Sequence, residues 1–197
     1  MIKRLFDIVF SFLGLILVSP LLLLFTFLIK LDSRGLVFYR GERVGKDGKI
    51  FKIFKFRTMV PDAEKLGGPS TSADDPRLTK FGKFLKKHNL DELPQLINIL
   101  KGEMSFVGPR PDVPSEVETY PSDARKIILS VKPGLTDLAT LEDLHEGEIL
   151  KGSSDPHQTY IEVIKPKKLK LAAEYVKKRS LWLDAKIILK TLKSAIF

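Results

Sequence analysis

The chain has 197 residues, a formal charge of +9 and 29% charged residues, yet its mean hydropathy is near zero. That length suits one substantial core, or a core with a membrane element, and the charge calls for an anionic partner: nucleic acid, an anionic membrane surface or a phosphorylated substrate. The lack of cysteine excludes disulfides, thiolate metal sites and a cysteine nucleophile.

In so charged a chain the hydrophobicity must be concentrated, and Leu5 to Ile29 is almost unbroken apolar sequence. It is too long for the core of a signal peptide, and Leu31-Asp32-Ser33-Arg34 makes a poor cleavage site. As one straight helix these residues reach about 37 Å, enough to span a bilayer core. Ser19-Pro20 interrupts the run. Pro20 has no N–H for the Ile16 carbonyl, so a kink is expected, with the Ser19 hydroxyl able to serve the freed group. Lys3 and Arg4 precede the segment while Lys30 and Arg34 follow it. Cations on both sides favour a helix that enters and leaves by one face, although a kinked spanning helix stays open. Asp7, near the entry end, is expected at the membrane interface.

From Gly35 onward a single compact domain is expected. Residues 37–40 and 49–56 alternate apolar with basic or polar side chains around the turn Gly45-Lys46-Asp47-Gly48, the pattern of a β-hairpin. Residues 61–76 read as a loop. Leu78 to Lys87 predicts a basic amphipathic helix with Phe81, Phe84 and Leu85 on one side. Pro94 to Leu100 predicts an apolar helix that starts near Leu90 to Glu92 and ends at Gly102. Lys167 to Phe197 predicts a two-sided helical region. Its apolar positions Leu181, Ala185, Ile188, Leu192 and Ile196 adjoin a stripe of Arg179, Lys186, Lys190 and Lys193, with Trp182 suited to the headgroup level. A core-packed helix with a solvated lysine face is the plainer alternative.

The chemistry concentrates between residues 75 and 111. Asp91-Glu92 stands at a predicted helix start, where a capping box with Asn89 is the simple structural explanation. The surroundings exceed what capping needs: Arg77, Lys83, Lys86 and Lys87 precede the pair, and Arg110 is held between Pro109 and Pro111. Arginine suits bidentate phosphate binding. A carboxylate among fixed cations can hold Mg²⁺, or attack phosphorus once the phosphate charge is neutralised. Lys55 and Arg57 form a second cationic cluster at the end of the hairpin. His145 and His157 lack metal-site spacing and read as surface residues.

Taken together these motifs resemble the bacterial sugar transferases known as monotopic phosphoglycosyl transferases. The resemblance runs from about Ile2 to Lys151 and returns at Tyr175 to Leu192. It rests on Ser19-Pro20, Phe54-Lys55-Phe56-Arg57-Thr58-Met59, Asp75-Pro76-Arg77, Leu90-Asp91-Glu92-Leu93-Pro94-Gln95-Leu96, Lys101-Gly102-Glu103-Met104-Ser105, Gly108-Pro109-Arg110-Pro111 and Lys132-Pro133-Gly134-Leu135-Thr136. It implies an α+β, mostly helical fold: residues 1–34 a re-entrant anchor broken at Ser19-Pro20, and residues 35–197 a cytoplasmic catalytic domain with a small hairpin and interfacial helices. The implied enzyme sits on the cytoplasmic face of the bacterial inner membrane, against anionic phospholipid. It transfers sugar-1-phosphate from a UDP-sugar to polyprenyl (undecaprenyl) phosphate and releases UMP, the first membrane step of glycan assembly. Asp91 would be the nucleophile that carries the phosphosugar covalently, working with Glu92 and Mg²⁺. Lys55, Arg57, Arg77, Lys86 and Arg110 would bind phosphate.

The chain departs from the family pattern at Asp137-Leu138-Ala139-Thr140-Leu141-Glu142-Asp143-Leu144, where many members have Gly-Leu-Ala-Gln-Val-Asn-Gly-Arg, and in the longer stretch 146–166. Base and sugar recognition are therefore the least transferable part of the resemblance. Two other classes compete: a catalytically degenerate membrane scaffold, which the intact dyad and Arg110 oppose, and a nucleic-acid binder, for which no motif is present. Monomer and homodimer both stay open.

Overall fold

The computed structural model of the protein describes residues 2–67, 71–72, 74–142 and 149–196. His145 therefore lies outside the described residues. Helix α1, Ile2–Asp32, takes in the whole apolar segment, and Pro20 lies inside it rather than ending it. The Ile16 carbonyl, deprived of its usual donor by Pro20, accepts the Ser19 hydroxyl at 2.8 Å.

One stripe of α1 is buried. Asp7, Ser11, Phe25 and Ile29 lie on it, with Leu15, Val18, Leu22 and Leu28 packed partly buried alongside. Spacings of three and four keep these positions on one face, which seats the helix on the domain along its whole length. The opposite face is apolar and open; Leu17, Leu23 and Phe27 are 81%, 72% and 61% exposed. Among the described residues α1 alone is long and apolar enough to cross a membrane. Polar ties fasten both of its ends. Lys3 reaches Asp184, the Tyr175 hydroxyl and the Val107 carbonyl, Arg4 donates to the Ile99 and Leu100 carbonyls, and Asp32 accepts the Phe81 N–H at 3.0 Å. Asp7, expected at a membrane interface, is turned into the domain. It is 2% exposed and accepts hydrogen bonds at 3.1 Å from the Ser105 hydroxyl and the Phe106 N–H. Two protein donors make its burial tolerable.

The expected hairpin forms as two antiparallel pairs. Strand β1 (Phe38–Tyr39) pairs with β4 (Lys55–Phe56), and β2 (Glu42–Val44) with β3 (Ile50–Lys52). Phe38 faces Phe56 and Val44 faces Ile50, so both pairs share one register. The turn is tight: Gly45 N–H donates to the Lys49 carbonyl at 2.8 Å, and Asp47 and Gly48 both have positive φ. The ladder is interrupted at Phe54, whose N–H goes instead to the side-chain oxygen of Asn98.

Helix α2 (Lys80–Lys87) is capped by Thr79, whose hydroxyl accepts the Gly82 N–H. After Asn89, in the left-handed region at φ 53°, comes a 3₁₀ turn over Leu90–Gln95 and then α3 (Leu96–Lys101). Gly102 ends α3 as expected, at φ 86°. Strand β5 (Ser105–Val107) pairs in parallel with β6 (Gly134–Thr136) across two short helices that no periodicity in the sequence announces, α4 (Pro114–Glu118) and α5 (Ser122–Ile128).

The chain closes with α6 (Pro156–Thr159), a π turn (Tyr160–Ile164), α7 (Lys165–Lys178) and α8 (Leu181–Ile196). Helix α8 divides its apolar residues. Ile187 is buried, with Leu183 and Ile188 packed beside it, whereas Leu181, Trp182, Leu189 and Leu192 are exposed. The protein is thus mostly helical with small two-stranded sheets. Its principal cores lie where the hairpin, α3 and the 3₁₀ turn meet the two halves of α1.

Candidate active site

The dyad sits where three segments converge. The 3₁₀ turn carries Asp91 and Glu92, β4 carries Lys55, and the turn after β5 carries Arg110. Both carboxylates are nearly buried, at 5% and 7% exposure. The Lys55 ammonium bridges them, 3.2 Å from Asp91 Oδ2 and 2.9 Å from Glu92 Oε1. Arg110 grips Glu92 from the other side with NH2 on Oε1 and NH1 3.3 Å from Oε2. Asn89 makes no side-chain cap and the Glu92 carboxylate is turned to Lys55 and Arg110, so the capping box is not formed.

Electrostatics divide the dyad. Burial raises the Asp91 carboxyl above the ordinary aspartate range, with Lys55 opposing and Glu92 adding to the rise. Desolvation thus governs Asp91 more than its place at a helix start does. Glu92 goes the other way: burial would raise it, but Arg110 and Lys55 together hold it well below the usual carboxylate range. Burial pulls Lys55 down, and Asp91 and Glu92 outweigh it, so its ammonium is held more firmly than in water. Glu92 is thus a fixed anion, and Asp91 is the carboxylate with the greater cost of staying charged.

Lys86 stands near this group. It is half-buried on α2, with Nζ 3.5 Å from the Thr71 carbonyl. Burial, joined by the field of Lys55, lowers it to about 8 against the opposing pull of Asp91 and Asp75. Arg77 is committed to Asp75, donating from Nε at 2.9 Å and NH2 at 2.7 Å. Asp75 and Lys86 feel each other's charge, so the Arg77 pair borders the cluster without entering it. Arg57 is set apart. Its guanidinium donates to the Ser33 carbonyl at 2.7 Å and hydroxyl at 2.9 Å, bracing the segment after α1. Ser19 and Pro20 lie mid-way along α1, and His157 sits at the surface 3.7 Å from Glu116.

Two features that hold the site are not apparent from the sequence. Asn98, fully buried on α3, accepts the Phe54 N–H at 2.8 Å and donates to the Lys52 carbonyl at 3.0 Å and to Glu103 at 2.7 Å. It clamps both neighbours of Ile53, immediately before Lys55. The one signal that could have found it is a lone amide in the apolar run Leu96-Ile97-Asn98-Ile99-Leu100, since a buried amide needs partners. The second feature is the close approach of Gly108 to Gly134. A Cβ on Gly134 would meet the Gly108 nitrogen at 2.1 Å. The Gly134 N–H donates to the Pro109 carbonyl at 2.9 Å, which fixes the turn that presents Arg110.

A sequence profile described as bacterial sugar transferase matches residues 1–197. The chain is 38% identical over 206 residues to an undecaprenyl-phosphate glucose phosphotransferase of Komagataeibacter xylinus, covering 99% of this chain and 36% of the relative. It is 46% identical over 122 residues to a protein of Bacillus subtilis named as a putative undecaprenyl-phosphate N-acetylgalactosaminyl 1-phosphate transferase, covering 62% of this chain and 68% of that one. A UDP-glucose:undecaprenyl-phosphate glucose-1-phosphate transferase of Escherichia coli is 39% identical over 195 residues, covering 98% of this chain and 39% of the relative. The chain thus spans well under half the length of two of these three relatives.

Proposed function

Because the chain belongs to the bacterial sugar transferase family, we propose that it moves a sugar-1-phosphate from a UDP-sugar to undecaprenyl phosphate and releases UMP. One observation carries the reading: two buried carboxylates of opposite electrostatic character, bridged by Lys55 and flanked by Arg110. An Asp91 oxygen attacks the β-phosphorus of the UDP-sugar. The bond from that phosphorus to the bridging oxygen breaks, and UMP leaves with the electron pair. An oxygen of undecaprenyl phosphate then attacks the same phosphorus and expels the Asp91 carboxylate, giving undecaprenyl-diphosphosugar. Splitting the transfer in two lets the same cations neutralise each displacement between anions.

The costly charge on Asp91 suits a nucleophile, whereas Glu92, pinned by two cations, suits an electrostatic and positioning part. Two adjacent carboxylates also fit Mg²⁺, which takes one or two carboxylates together with substrate phosphates and water. A larger acidic cage is not needed, and among the described residues none occurs. When bound, Mg²⁺ supplies neutralisation of the phosphate charge. Lys86 adds cationic field beside Asp91, and Arg77 acts through its pair with Asp75.

The membrane arrangement in this reading is monotopic, on the cytoplasmic face of the inner membrane. Lys3 and Asp32 lie 29 positions apart, about 44 Å along a straight helix, yet both are tied to the same domain. A spanning helix would drag one of those polar contacts across the bilayer, which opposes crossing. Re-entrance at Ser19-Pro20 keeps both ends on one side while the open apolar face of α1 meets lipid. The exposed Leu181, Trp182, Leu189 and Leu192 of α8 add an interfacial contact to anionic phospholipid.

The test is UMP release from a panel of UDP-sugars with Mg²⁺ and undecaprenyl phosphate, comparing the wild type with Asp91→Asn. Release by the wild type and none by the folded variant is expected. Full release by Asp91→Asn overturns the covalent step, and no release by the wild type favours a scaffold role.

A further inference from the structure

Arg57 carries more donors than the protein uses. Its only hydrogen-bond acceptors among the described residues are the carbonyl and hydroxyl of Ser33, both taken by NH2. Nε is buried with no partner, the one such side-chain atom among the described residues. A buried donor left in this state is uncommon and points to a group from outside the chain. NH1 lies against Gly35, where a Cβ would clash with it. Gly35 is exposed and Arg57 partly so, which leaves that edge of the guanidinium within reach of an anion.

The surroundings add positive charge. Lys30, exposed on the last turn of α1, donates from Nζ to the Gly35 carbonyl at 2.9 Å, so it meets the same residue as Arg57. Arg34, next in the chain to Gly35, is exposed as well. The carboxylate that acts on Arg57 is Asp32, which already accepts the Phe81 N–H. Burial lowers the Arg57 guanidinium from its ordinary value, and Asp32 opposes this without cancelling it. Three cations thus gather around Gly35 against one carboxylate.

We infer that the bend after α1 seats the phosphodiester of an anionic phospholipid headgroup, gripped by Arg57 with Lys30 as a second contact; this rests on the membrane arrangement proposed above and not on the transfer chemistry. Apolar flanks favour a lipid over a soluble anion: Leu31 and Leu36, on either side of the bend, are 68% and 79% exposed. In a monotopic arrangement this is where α1 leaves the bilayer, at headgroup depth. The acceptor phosphate has to reach the dyad, whereas Arg57 is turned to Ser33 and only its neighbour Lys55 meets the carboxylates. The seat also differs from the diffuse pull of exposed lysines, because it uses the planar fork that arginine has and lysine lacks.

Native mass spectrometry of the full chain released from detergent tests this, with phosphatidylglycerol titrated in and phosphatidylcholine, inorganic phosphate and undecaprenyl phosphate as competitors. The wild type is expected to retain one phosphatidylglycerol. Arg57→Lys keeps the charge but loses the fork, and is expected to raise the Kd about ten-fold, the loss of one charge-assisted hydrogen bond. Lys30→Met leaves the Ser33 contacts of Arg57 in place and is expected to raise it about five-fold, the worth of one cation at a membrane surface. No retained lipid in the wild type, an unchanged Kd in both folded variants, or equal retention of phosphatidylcholine overturns the seat. Displacement by inorganic phosphate assigns the site to a soluble anion, and displacement by undecaprenyl phosphate assigns it to the acceptor; either result overturns the inference. Chain ends labelled from opposite faces of the membrane, with phosphatidylglycerol still lost from Arg57→Lys, would remove re-entrance and leave the headgroup seat standing.

Discussion

Replacing Asn98 by leucine would show how the site is held. Leucine is similar in size and a better helix former, so the change removes hydrogen bonds with little disturbance of α3. Three disappear, to the Phe54 N–H, the Lys52 carbonyl and Glu103. Lys52 is exposed and Glu103 half-buried, so water can take over there at about 0.5–1.5 kcal/mol each. The Phe54 N–H abuts a fully buried side chain and is left unpaired, at about 1–3 kcal/mol. Burying leucine in place of an amide returns about 1 kcal/mol, and the net loss centres on roughly 3 kcal/mol. For a domain of this length that lowers Tm by roughly 6–12 °C. Lys55 directly follows the released segment, so UMP release should fall as well, chiefly through a higher KM for the UDP-sugar. Circular dichroism melts and UMP release on the detergent-solubilised protein measure both. A Tm within about 1 °C of wild type together with unchanged kinetics would refute the clamp.

Ionised Asp91 is required for attack and burial raises its carboxyl, so UMP release should decline on acidification at a higher pH than an ordinary aspartate would give. Removing the opposing cation with Lys55→Met should move that limb further up, and an unmoved limb contradicts the pairing. A raised folded value also means that stability falls as pH rises from the unfolded value through the folded one. Asp91→Asn should accordingly match or exceed the wild-type Tm at neutral pH, and a clear drop argues against the buried charge. Glu92 has the opposite sign: its depressed value contributes stability above the unfolded value that is lost as pH falls towards the folded one. A double-mutant cycle of Arg110→Ala and Glu92→Gln should give a coupling of about 1 kcal/mol rather than the several of a fully buried pair, since the Arg110 side chain is 39% exposed. Tyr175→Phe removes a hydroxyl that donates to Asp184 at 2.7 Å, and a loss of about 1–3 kcal/mol in chemical denaturation is expected.

Local signals in the sequence were dependable guides. An unbroken apolar run specified α1, alternation around Gly45 and Gly48 specified the hairpin, and Gly102 marked the end of α3. Asp91, Glu92, Lys55 and Arg110 were legible because their residue types are excessive for any structural task, and they do converge. What escaped was non-local. Strands β5 and β6 are three residues each, too short for a period to register, and their pairing joins positions nearly thirty apart. The burial of Asp7 escaped because nothing in its neighbourhood announces the Ser105 hydroxyl that donates to it. Arg57 and Lys55 look alike in sequence, yet Arg57 lies just past the end of β4 and turns to Ser33, and only Lys55 meets the dyad. Burial, invisible along the chain, likewise sets the cost of charge on Asp91.

The tie between Lys3 and Asp184 has a consequence for biogenesis. These partners are 181 residues apart, and ribosomes add about 5–20 residues per second. Helix α1 therefore emerges on the order of ten seconds or more before its last polar partner has been made. Throughout that interval its apolar side chains need another host, either lipid or a chaperone. Under the membrane arrangement proposed above that host is lipid: the nascent helix enters the bilayer first, and the remainder of the chain folds onto it as it arrives.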